Sequence, residues 1–115
     1  MTRQYDPVRT ETVRLNGAVV KNRFVTVGGL QTGLTATNVQ GVAMYDGVAG
    51  DLIAVVQIGT AVVETSAAVA VGAECLVAGD GRLGAAGANG IARAKEAATG
   101  AGQFIEVELL PFRGA

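Results

Sequence analysis

The chain has 115 residues, the length of one domain with a single small core. It contains no His and one Cys, which excludes Ser-His and Cys-His nucleophile pairs, a Cys/His metal site and an internal disulfide. The net charge of −1 hides an asymmetry: residues 1–23 carry five basic and two acidic residues, and residues 24–115 carry four basic and eight acidic ones.

Half the residues are hydrophobic, mostly Ala and Val, with five aromatics and no Trp. Gly at 17 positions is about twice its usual share and favours short strands joined by tight turns over a helical bundle. A domain this small buries only about 60 to 70% of its unfolded surface, so oligomerisation would supplement its stability. No run approaches the roughly 18 apolar residues of a membrane span, and no association with a membrane is expected.

Residues 1–12, with Pro7 and no helical or strand periodicity, read as an extended or flexible N-terminal arm, and the β domain is expected to occupy residues 13–115. Val13–Leu15 and Ala18–Val20 flank Asn16-Gly17, a strong two-residue hairpin signal. Phe24–Val27 and Leu30–Leu34 read as short strands around Gly28-Gly29. Val39–Tyr45 and Leu52–Gln57 flank a turn region, and nearly continuous apolar residues make Leu52–Val56 the candidate fully buried central strand. Ile58–Glu64 is the next strand.

Residues 65–71 are too short for a stable helix and read as a connector. Cys75–Ala78 and Arg82-Leu83 surround the hairpin turn Gly79-Asp80-Gly81. Ile91–Glu96 alternates as a strand. In Phe104–Leu110, Ile105, Val107 and Leu109 face inward and Phe104, Glu106 and Glu108 outward, until Pro111 ends the ladder. Eight to ten short strands at near-regular spacing predict an all-β fold, a small sandwich or barrel.

Candidate chemistry is thin. Gly79-Asp80-Gly81-Arg82-Leu83-Gly84 matches the dinucleotide fingerprint in letters, but the residues that follow do not make the helix that the motif needs to meet a pyrophosphate. Asp46 and Asp51 bracket a glycine-bearing loop without the alternating oxygen ligands of a calcium loop, and turn capping is their expected work. Glu106 and Glu108 read as solubilising residues on an outer sheet face, and Cys75 in an apolar run reads as an inert buried thiol. No catalysis, metal or cofactor is expected. Nucleic-acid binding is not expected either, because the body is acidic and the basic residues are not interleaved with stacking aromatics.

From Gly41 to Leu109 the chain resembles the cement or decoration proteins of tailed-phage capsids. The resemblance is carried by Gly41-Val42-Ala43, the apolar strand from Asp51 to Val56, and the run from Gly59 to Glu64. It continues through Val71-Gly72-Ala73 before Cys75-Leu76-Val77, the turn from Gly79 to Leu83, Gly90-Ile91-Ala92-Arg93-Ala94, and Ile105 to Leu109. Gly90-Ile91 departs from the family order of Ile then Gly.

The resemblance implies a non-enzymatic structural protein of a bacteriophage virion, made in the host cytoplasm. It would bind the outer capsid surface and stabilise the capsid by bridging major capsid protein subunits. It also implies a homo-oligomer, a trimer favoured over a dimer. Thr2, Arg3, Gln4, Tyr5, Asp6, Pro7, Val8 and Arg9 are the candidate capsid-binding arm, since an extended basic segment can add as a strand to a partner's sheet. The alternatives are another virion head or tail component, or a small-barrel protein-binding module of a larger complex.

Overall fold

A computed structural model describes residues 6–34, 38–87 and 90–110, with residues 6–9 described as backbone only. Eight strands form one sheet: β1 (Asp6–Arg14), β2 (Phe24–Thr26), β3 (Val39–Ala43), β4 (Leu52–Glu64), β5 (Glu74–Val77), β6 (Leu83–Ala86), β7 (Ala92–Ala94) and β8 (Phe104–Leu109). Every ladder between them is antiparallel. The order is β2-β3-β4-β8-β7-β5-β6, and β1 pairs β4 outside that path. Among the described residues there is no helix, and the predicted all-β class holds.

The sheet is nearly closed into a barrel. At the seam, the Phe24 N–H of β2 donates to the Gly81 carbonyl in the β5–β6 turn at 2.6 Å. Thr65 also bridges in parallel to Leu83 of β6. Gly81 has φ +89°, and a Cβ there would come within 2.8 Å of the Phe24 carbonyl, so the turn needs glycine both for its backbone angle and for the close approach.

β4 is the organising strand. Its residues Leu52 to Thr60 pair with β1, Val55 and Val56 with β3, and Thr60 to Glu64 with β8. Thr60 is partner to both Asp6 and Glu108, which puts β1 and β8 on opposite edges of β4. The sequence suggests two strands here, Leu52–Gln57 and Ile58–Glu64; the chain instead runs through both as thirteen continuous residues.

That continuity requires a change of face. Val56 packs in the main core with Phe24, Val42, Val107 and Leu83, and so do Ala61 and Val63. Val56 and Ala61 are an odd number of residues apart, so strict alternation would turn Ala61 and Val63 away from that core. Between them Gly59 has φ +116°, and the β1–β4 register slips twice opposite this stretch. An irregularity of this kind in a ladder re-aims all the side chains beyond it.

The other face of the β2–β3–β4 region carries a second cluster of Val13, Leu15, Val19, Val25, Ala43, Ile53 and Val55. Leu52–Val56 is therefore buried through alternate residues on opposite faces rather than throughout. Leu52 itself is 63% exposed. Leu30–Leu34 is not a strand, although Leu34 reaches the main core.

The Asn16-Gly17 hairpin does not form. Val13 and Arg14 pair with Ile53 and Leu52 of β4, while Val19 bridges Gly47. Asn16 instead ties down the 28–29 loop: its N–H donates to the Gly29 carbonyl at 3.0 Å and its Nδ2 to the Gly28 carbonyl at 2.6 Å. The long-range ladder to β4 offers more bonds than a hairpin of three-residue arms. It also takes in residues 6–12, which the sequence suggests as a flexible arm; their backbone is extended, and it is paired.

Gly59→Val is expected to lower stability by about 1 to 3 kcal/mol, because φ near +116° is essentially restricted to glycine. Urea unfolding would show this as a lower midpoint with an unchanged slope.

Candidate interaction surface

The charged side chains are largely committed to the fold. Asp46 Oδ1 accepts the Lys21 N–H at 2.7 Å, and Asp51 Oδ2 accepts the Val48 N–H at 2.9 Å. Both carboxylates thus fasten turns through backbone groups, as their setting suggests. The glycine-rich Gly79–Gly84 run turns directly into strand β6 at Leu83, so it is a hairpin turn without the helix N-terminus that a pyrophosphate site requires.

A four-residue ion-pair network lies beside the barrel seam. Arg23 Nε meets Glu64 Oε1 at 3.0 Å, Arg82 Nη1 meets Glu64 Oε2 at 3.9 Å, and Arg82 Nε meets Asp80 Oδ2 at 2.9 Å. These pairs link the approach to β2, the end of β4 and the β5–β6 turn. Partial burial pushes the Asp80 carboxyl up, but the Arg82 backbone N–H and guanidinium, with Arg23 behind them, outweigh it and hold the carboxyl below the ordinary carboxylate value.

Glu106 departs from expectation. Phe104 and Glu108 are exposed as predicted, but Glu106 is only 3% exposed. It sits mid-strand in β8, paired with Val62 of β4 on one side, while on the other its carbonyl accepts the N–H of Lys95, just beyond β7, at 3.0 Å. Its carboxylate lies 3.7 Å from Lys95 Nζ, and its N–H donates to Glu96 Oε2 at 2.8 Å. The alternation was legible, but the contact with Lys95 and Glu96 that buries Glu106 was not.

Cys75 is fully buried in the main core, and burial raises its thiol pKa, so it stays protonated and inaccessible.

Apolar exposure concentrates on three bonded loop segments around the N-terminal end of β4. Of the nine exposed large hydrophobic residues among the described residues, Val20, Val27, Leu30, Tyr45, Val48 and Leu52 belong to three segments, 14–21, 27–31 and 44–52. Backbone bonds from Leu15 to Asp51, from Asn16 to Gly29 and in both directions between Val19 and Gly47 tie these segments together. These loops are the candidate protein-contact surface. Sequence reasoning missed it, because its members share no periodicity; Tyr45 and Val48 flanking a Gly/Asp turn were the only available signal.

Of the predicted arm residues, Thr2, Arg3, Gln4 and Tyr5 lie outside the described residues. Asp6, Pro7, Val8 and Arg9 begin β1, where Asp6, Pro7 and Arg9 are register partners of Thr60, Gly59 and Ile58. β1 ends at the apolar cluster, since Arg14 is partner to Leu52.

No family model matches the chain, and no curated protein matches it. The fold defines a class, a small and nearly closed antiparallel barrel with an added outer strand. Among solved structures it is similar to the N base of the head fiber protein gp8.5 of bacteriophage phi29, with a TM-score of 0.70 and 20% identity, over 89% of this chain and 93% of that one. That protein is the base of a head fiber, and what this chain shares with it is the fold.

Two outcomes follow from the charged and thiol groups. The depressed Asp80 carboxyl contributes stability that is present above the unfolded value of about 3.9 and is lost as pH falls through the lower folded value. Asp80→Asn should therefore narrow the gap in melting temperature between neutral pH and pH about 3. Cys75 should resist iodoacetamide in the native protein and react fully in denaturant, which mass spectrometry would read directly.

Proposed function

We propose that this chain is a non-enzymatic structural component of a phage virion head. In this reading it binds the outer capsid surface, bridges major capsid protein subunits and works as a homo-oligomer, a trimer favoured over a dimer. The observation that carries the reading is the fold likeness to a phage head fiber base across nearly the whole of both chains. The exposed apolar end supports a protein-binding role, and so does a sheet whose outer strand β1 has one strand partner among the described residues. The second edge of β1 is suited to accept a strand from a capsid subunit, gaining backbone bonds worth about 0.5 to 1.5 kcal/mol each.

The basic leader supplies the electrostatic part of the attachment. Arg14 and Lys21 are exposed, whereas Arg23 is engaged by Glu64. Attraction between such a segment and an acidic shell is screened over a Debye length of about 8 Å at physiological ionic strength. Several weak attachments in one oligomer would multiply into firm binding, by about 10² to 10⁴ in avidity.

The full-length chain and a chain lacking residues 1–9 should be mixed with undecorated shells at two salt concentrations, and bound copies counted by sedimentation. The expected result is salt-sensitive binding of the full chain and much weaker binding of the shortened one. Equal occupancy would move the contact to the apolar end; no binding by either would favour another virion component or a module of a larger complex.

A further inference from the structure

We infer that the three bonded loops carrying Val20, Val27, Leu30, Tyr45, Val48 and Leu52 are a protein-docking surface, and that the occupant is an apolar protein surface edged with carboxylates. The inference rests on the virion reading above and names the face of this chain that makes the contact.

An internal repeat carries it. β1 pairs with β4 through Val13 with Ile53 and Arg14 with Leu52, and β4 pairs with β8 through Val63 with Ile105 and Glu64 with Phe104. β3 pairs with β4 through Val42 with Val56 and Ala43 with Val55, and β7 pairs with β8 through Arg93 with Glu108 and Ala94 with Val107.

The loops recur bond for bond. Val19 and Gly47 exchange backbone bonds in both directions, and so do Val69 and Ala98. The Gly50 N–H donates to the Leu15 carbonyl at 2.7 Å, and the Gly102 N–H to the Thr65 carbonyl at 2.8 Å. The Thr26 N–H donates to the Leu30 carbonyl and the Ala78 N–H to the Arg82 carbonyl, each at 2.8 Å. The Met44 N–H donates to the Ala54 carbonyl, as the Lys95 N–H does to that of Glu106. Asp51 Oδ2 accepts the Val48 N–H at 2.9 Å, and Gln103 Oε1 accepts the Thr99 N–H at 3.0 Å. Asn22, with φ 71°, and Gly72, with φ 85°, donate to the carbonyls of Ala43 and Ala94. The chain is thus one β unit used twice, with β4 ending the first copy and beginning the second.

The second copy shows what this architecture requires of its loops. By these correspondences Val20, Val27, Leu30, Tyr45 and Val48 are matched by Ala70, Gly79, Arg82, Glu96 and Thr99. The same backbone bonds form there around small or polar side chains, so the fold does not demand the large apolar ones. Leu52 alone of the six has a large apolar counterpart, Phe104. Apolar exposure gathered in one place and surplus to the fold is what a docking surface supplies.

Charge identifies the occupant. Arg14 is the register partner of Leu52, and the Lys21 N–H is bonded to Asp46, next to Tyr45. Both cations are exposed, and neither enters an ion pair among the described residues. Their counterparts are Glu64 and Val71, so the basic edge belongs to the first copy, as the apolar loops do. Asp46 and Asp51 each commit an oxygen to a backbone N–H, and in the second copy Gln103 does the work of Asp51 without a charge. Carboxylates bordering an apolar patch complement the two cations.

Tyr45→Gln with Val48→Thr brings the first copy close to the side chains that serve in the second. Binding of full-length parent and variants to undecorated shells is measured by sedimentation at two salt concentrations, and urea unfolding is recorded alongside. The expected result for this double variant is an unchanged urea midpoint and binding weaker by at least about tenfold. Arg14→Gln with Lys21→Gln should reduce the salt dependence of binding, and Val71→Ser, on the second copy, should leave binding as it was. Parent-level binding by the Tyr45 and Val48 variant overturns the docking surface and leaves the virion reading in place. A lowered urea midpoint overturns the independence of the fold from those side chains. Salt dependence unchanged by the loss of both cations overturns the carboxylate-edged occupant. Shells that fail to bind the parent chain overturn the virion reading and this inference with it.

Discussion

Three ladders meet on β4, and the geometry of the whole sheet depends on the backbone at Gly59. A regular strand of thirteen residues would give the main core either Val56 or the pair Ala61 and Val63, never all three. The left-handed backbone at Gly59 resolves that conflict locally. It lets one strand serve β1 and β3 at one end and β8 at the other, with the same core on one side throughout. The cost appears beside it, in the two register slips against β1 and in the unpartnered Gln57 and Thr60 atoms.

Closure of the barrel depends on a different set of contacts. The Phe24–Gly81 bond joins the two ends of the strand order, the Thr65–Leu83 bridge ties the end of β4 to β6, and the Arg23–Glu64–Arg82–Asp80 network lies beside them. The ion pairs are partly exposed and contribute little individually. Their position matters more than their energy, because they orient the hairpin turn whose carbonyl completes the seam. Phe24, 1% exposed, is the largest fully buried side chain, so the bulkiest core anchor sits at the seam as well.

Outside this core the molecule presents two features suited to protein contacts. One is the apolar end formed by three loops; the other is β1, attached along a single edge. They adjoin at Arg14 and Leu52, which are register partners.

Much of the architecture was determined by the sequence alone. Period-two alternation and glycine-rich turns specified β2, β3, the β5–β6 hairpin, β7 and β8 to within a few residues, because local backbone preference and one buried face suffice to define such strands. The absence of His and the isolation of Cys75 bounded the chemistry. Tertiary structure alone decided what depends on contacts distant in sequence. Asn16-Gly17 gave up its hairpin because Val13 and Arg14 found β4 some forty residues away. Residues 6–12 carry no buried periodicity, yet they lie in the sheet because backbone hydrogen bonding does not need apolar side chains. Glu106 sits at an outward position in the alternation, yet it is buried beside Lys95 and Glu96, which follow β7 in the chain. The apolar end could not be read from the chain, since its residues come together only when three loops are bonded to one another.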